Sequence, residues 1–130
     1  MLDIETIVYS RIKSILTSKL KTKYQDISFT TSDKVIGKPR FPNVYVHMID
    51  SSEIGQDLEG KTINGVSASF QIEVSDNENQ FTTKEVMKDV VSVMKDMRFS
   101  ATLMPIFSNV DNAYRCIARF ERTIGALDKI

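Results

Sequence analysis

The only histidine, His47, and the only cysteine, Cys116, are the first residues to weigh as catalytic groups in this chain. A general base needs a nucleophile or an orienting carboxylate within hydrogen-bond reach. Asp50 lies three positions on, which in an extended strand is the opposite face, so His47 reads as a partly exposed strand histidine. Cys116 shares a face with Tyr114, Ala118 and Phe120 and has no histidine beside it in sequence. That pattern describes a small buried hydrophobe rather than a reactive thiol. One cysteine and one histidine also exclude an intrachain disulfide, cysteine zinc motifs and His–His metal clusters.

Other chemistry is equally thin. The five glycines are dispersed, so no loop is built to cradle phosphate. Asp57 and Glu59 lack the ligand number and spacing of a calcium loop and read as a solvated acidic segment. Arg115 and Arg119 fall on one face of the last strand with Glu121, while Arg122 points the other way. Two readings of these arginines stand: a basic strip facing an acidic neighbour or polyanion, or a solvated face with a cross-strand Glu–Arg pair. No aromatics interleave with them as single-stranded nucleic acid would require. Met87, Met94, Met97 and Met104 read as core filling. Neither an enzyme nor a resident cofactor is expected.

The elements that must position these residues follow from periodicity. Ile4, Ile7, Val8, Ile12, Ile15, Leu16 and Leu20 recur at three and four, predicting a helix over 3–21 with Asp3 as N-cap and Lys19, Lys21 and Lys23 near its C-terminus. Residues 27–31 predict a short strand, and 43–50 a second with Val44, Val46 and Met48 on one face. A fourteen-residue acidic connection, 51–64, precedes the strictly alternating Val66, Ala68, Phe70, Ile72 and Val74. The strands on either side of it form an antiparallel pair. Thr82-Thr83-Lys84-Glu85 has the form of a capping box, with Phe81 placed to staple onto Val86. Val86, Val90, Val93, Met94 and Met97 supply that second helix's stripe, which ends near Arg98. Residues 99–110 form a strand that Pro105 assigns to an edge or a bulge, and 114–123 the last strand. The order α-β-β-β-α-β-β predicts an α+β fold, a mainly antiparallel sheet with two helices packed on one face, in a single domain over 1–130.

Composition agrees with a folded protein: 42% apolar and 26% charged residues in 130. No apolar run approaches the ~20 residues of a membrane helix, and acids among the first residues are unlike a secretory signal, so synthesis in the cytoplasm is expected. Net charge is zero but unevenly spread. Residues 1–40 hold eight Lys and Arg against four Asp and Glu, whereas residues 41–80 hold one Lys against seven acids. Such a chain can pair head to tail with its own copies, although acidic loops alone would produce the same pattern.

Taken together, the amphipathic first helix, Tyr45-Val46-His47-Met48, the long connection, Val90-Val91-Ser92-Val93-Met94 and the ending Tyr114-Arg115-Cys116-Ile117-Ala118-Arg119-Phe120-Glu121-Arg122-Thr123-Ile124-Gly125 resemble the tail terminator (tail completion, or neck) proteins of tailed bacteriophages and phage-tail-like particles. The resemblance rests on element order over nearly the whole chain and on a loose Tyr-Arg…Arg-Phe…Ile-Gly ending. It implies a non-enzymatic subunit that forms a hexameric ring on the tail tube, stops tube polymerisation and presents a surface to head connector proteins. In contractile systems the ring also meets the sheath. DNA passes through without being read, no membrane is engaged, and the protein resides in the virion tail after assembly in the bacterial cytoplasm.

The residues expected to meet partners are Glu53, Ile54, Asp57, Leu58 and Glu59 of the acidic connection, read as a projecting loop ordered on assembly, and Arg115, Arg119 and Arg122. Rival readings are another head-closure or tail-tube component, and a small ligand-sensing domain, which would need a pocket with converging polar groups.

Overall fold

In the computed structural model, which describes residues 4–31, 40–54, 65–109 and 113–125 (52–54 as backbone alone), the chain runs α-β-β-β-α-β-β. The predicted α+β order is therefore observed. The apolar stripe of the first twenty residues forms α1 (Ile4–Leu20), which buries Ile4, Val8, Ile12, Leu16 and Leu20. Tyr9 joins that face, a placement its polar hydroxyl disguised. The hydroxyl donates to the Phe29 carbonyl at 3.1 Å, which satisfies it inside the core and ties α1 to β1 (Ser28–Thr31). Asp3, expected as N-cap, lies outside the described residues.

The sheet has the order β1-β2-β3-β5-β4. β1 runs parallel to β2 (Asn43–Ile54). The pairs of β2 with β3 (Gly65–Asp76), of β3 with β5 (Tyr114–Gly125) and of β5 with β4 (Ser100–Phe107) are antiparallel. Alternation decides what is buried. Phe70, Ile72 and Val74 of β3 stand opposite Phe120, Ala118 and Cys116 of β5, all at most 2% exposed. Phe99 meets the Phe70 ring edge-on, with centroids 5.5 Å apart. With Val44 and Val46 this face joins the buried stripes of both helices in one apolar cluster. At the far end of the β3–β5 ladder a Cβ on Gly65 would lie 2.7 Å from the Ile124 carbonyl oxygen, so only glycine fits there without moving backbone.

Three expectations need correction. β2 does not end at Asp50 but continues to Ile54, so 51–54 are paired strand rather than loop: Ser51 faces Ala68 and Ile54 faces Gly65. A register shift between Met48 and Asp50 makes Ile49 a bulge residue. A charged residue following Val44, Val46 and Met48 in strict alternation would sit on the core face, and the bulge spares it that cost.

The second correction concerns α2 (Gln80–Asp96), which starts earlier than the Thr82 box. Asp76 accepts from the backbone of Glu78 and Asn79, turning the chain at once, and the Asn79 side chain caps by accepting from Phe81 N at 2.9 Å. Phe81 is consequently 59% exposed rather than a staple. Glu85 turns instead to Lys23 and Tyr24.

The third is Met104. Met87, Met94 and Met97 fill the core as expected, but Met104 is 64% exposed. It lies beside Pro105 in an edge strand whose pairing shifts between Ala101 and Leu103 and again between Leu103 and Ile106. The irregularity predicted from Pro105 is present.

Candidate functional site

The arginine face of β5 is built by cross-strand register. Arg115 pairs with Ser75, Arg119 with Gln71 and Glu121 with Ser69, all on the sheet face away from the helices. Arg115 Nη1 lies 3.3 Å from Glu73 Oε1, Arg119 Nε donates to Gln71 Oε1 at 2.9 Å, and Ser67 Oγ donates to Glu121 Oε1 at 3.0 Å. The geometry matches the cross-strand alternative for this face: these guanidiniums already have neighbours. Arg115 Nε is buried without a hydrogen-bond partner among the described residues.

Arg122 points into the protein, as its parity requires. It is 6% exposed, and its Nη1 donates to the Met97 carbonyl at 2.9 Å, so it serves the C-terminal end of α2. The three arginines are therefore not one site. Glu53 and Ile54 stand in β2 with no side-chain geometry described, and Asp57, Leu58 and Glu59 lie outside the described residues.

His47 is paired with Gln71 and stacks on Tyr45, rings 5.8 Å apart and 16° from parallel. The bulge at Ile49 brings Asp50 opposite Ser69, hence onto the face of His47 rather than the opposite one expected from simple alternation. The constellation still lacks a relay. His47 Nδ1 is buried without a partner, and among the described residues no hydrogen bond joins His47, Asp50 and Ser69. Burial raises the Cys116 thiol above its ordinary value, holding it in its unreactive form. No group of three or more His, Cys, Asp or Glu side chains among the described residues could hold a metal ion.

No family model and no curated protein matches this chain.

Two depressions among the described residues have polar linings. An open depression of about 400 Å³ is lined by Arg98, Ser100, Thr102, Glu121, Arg122 and Thr123, and a second of similar size by Asp26, Arg40, Phe41, Asp76, Asn77 and Glu78. Small-molecule sites are mostly apolar with a few converging polar groups, and neither lining has that character. No helix among the described residues is long and apolar enough to cross a membrane.

Exposed apolar side chains gather on the β4 edge. Met104, Ile106 and Phe107 are 64, 47 and 45% exposed. Sequence reasoning assigned Met104 to the core and missed this feature. The available signal was a strand that Pro105 assigned to an edge or a bulge, with no charge between Phe99 and Asn109.

Proposed function

We propose that this chain is a non-enzymatic structural subunit that assembles with its own copies, as a ring of six, on the end of a phage or phage-tail-like tube. The ring ends tube polymerisation and offers its outer surface to head connector proteins, and to sheath subunits where the tail contracts. It binds no cofactor, reads no nucleic acid sequence and resides in the virion tail after assembly in the bacterial cytoplasm.

The observation that carries this reading is the β4 edge. Exposed apolar side chains on a strand edge that carries no charge are costly to leave in water and suit a subunit that buries them on assembly. The element order and the β5 ending of the tail terminator resemblance supply the particular assembly. The polar linings of both depressions favour assembly over the ligand-sensing alternative.

Negative-stain images of the purified protein, alone and mixed with tail tubes, test the reading. Six-fold rings, or single caps on tube ends, are the expected result. Long tubes formed by the chain alone would assign it to the tube instead, and a chain that neither forms rings nor caps tubes would sink the proposal.

A further inference from the structure

The two edges of the sheet differ in a way that copies of the chain can use. β4 carries no Lys, Arg, Asp or Glu, and its exposed side chains are the apolar Met104, Ile106 and Phe107 together with the hydroxyls Ser100 and Thr102. Edge strands are commonly guarded by charges that discourage pairing. The guards here are Pro105 and two breaks in register. At the opposite edge β1 pairs with β2 only from Asn43 to Val46. Beyond that, among the described residues, the edge of β2 from His47 to Ile54 has no neighbour. This stretch exposes Ile49 at 46% together with Asp50, and Glu53 follows in the same strand.

We infer that the β4 edge of one copy docks on the open β2 edge of the next, head to tail, and that this contact builds the ring. The inference rests on the ring reading above. Charge decides between the possible pairings. Two β2 edges paired about a two-fold axis would set Asp50, or in another register Glu53, against its own counterpart, and like charges across strands are destabilising. The β4 edge presents no acid, and exposed Arg98 at its start supplies the opposite sign.

Direction agrees as well. Three successive antiparallel pairings make β2 and β4 run oppositely within one sheet. Copies related by rotation about an axis along the strands therefore meet as an antiparallel pair. Because the two surfaces are different, each added copy leaves one of each kind free, and only closure into a ring consumes them all.

Blocking each edge separately tests this. The double variants M104K/I106K and I49K/D50K alter exposed positions, so each should keep the wild-type melting temperature. Each should sediment as a monomer under conditions in which the wild type assembles. An equimolar mixture should form a dimer and nothing larger, because one intact β2 edge and one intact β4 edge remain between the two chains. The milder Ile106→Thr should weaken assembly about tenfold.

Assembly of M104K/I106K like the wild type would overturn the edge contact while leaving the ring intact. Dimers of I49K/D50K on its own would mean that β4 pairs with β4 and would equally overturn it. Folded variants that stay monomeric on mixing would do the same. A wild type that forms no ring, alone or on tubes, would remove the ring reading and this inference together.

Discussion

Arg98 has φ 66°, left-handed backbone that a side chain with a Cβ adopts at a cost. It holds that conformation because it closes α2. Its N–H donates to the Lys95 carbonyl and that of Phe99 to Met94, both at 2.9 Å, the double bond of a Schellman ending, with Phe99 and Met94 both buried. Glycine meets the same requirement without strain, so Arg98→Gly should raise unfolding free energy by up to about 1 kcal/mol in urea titration.

A second residue-scale device joins the end of α1 to α2. Lys23 Nζ lies 2.6 Å from Glu85 Oε2, and the Tyr24 hydroxyl donates to the same oxygen at 2.9 Å. These bonds, Lys23's first, hold Glu85 below the usual carboxylate range, and the bond to Glu85 holds Lys23 above the usual ammonium value. A lowered carboxylate stabilises the fold above its unfolded value of about 4.3 and loses that contribution as pH falls through its folded value. Glu85→Gln should therefore lower the melting temperature at neutral pH, with the deficit shrinking toward acid. A deficit independent of pH down to full protonation would show that the charge is immaterial. Toward alkali the raised Lys23 keeps its contribution until pH passes its folded value, above about 10.4.

Among the elements, β5 does two unrelated jobs on its two faces, and its arginines divide accordingly. Arg122 is buried and hydrogen-bonded to the end of α2, so Arg122→Ala leaves a buried carbonyl short of a donor and should destabilise by about 2 kcal/mol. Arg119 is exposed and spans to Gln71 on the adjacent strand, so Arg119→Ala should change stability by no more than about 0.5 kcal/mol. Equal losses in equilibrium unfolding would contradict this division. The alternation that places them oppositely was visible in the sequence. That Arg122 has a helix end to serve was not, because Met97 is twenty-five positions away.

For the whole molecule, the β2–β3 hairpin holds its register as far as Ile54 opposite Gly65. The two strand ends are therefore close enough for a two-residue turn. Replacing residues 55–64 with Asn-Gly should leave the melting temperature nearly unchanged and abolish attachment to tail tubes. Unchanged attachment would remove Asp57, Leu58 and Glu59 from the partner surface. Uneven charge also belongs to this scale: the acidic middle third of the chain lies in sequence between two basic ones, so salt should weaken assembly if these segments meet across copies.

Periodicity determined the two helices, the order of elements along the chain and the burial of Phe70, Ile72, Val74, Cys116 and Phe120, and Pro105 marked β4 for an edge or a bulge. Local backbone geometry turns spacing directly into faces, and a face must be uniformly apolar to be buried. Only the tertiary structure decided the bulge at Ile49, the cap at Asn79, the inward task of Arg122 and the exposure of Met104. Each depends on which of several local alternatives finds its partners in the folded chain. Asp76 turns the chain before the Thr82 box can begin a helix, and the helices cover the sheet without reaching Met104 in β4. The same limit governs the candidate site. Its residues were legible as types, but which of them were already satisfied inside the fold, and which edge remained open, depended on strands meeting in space.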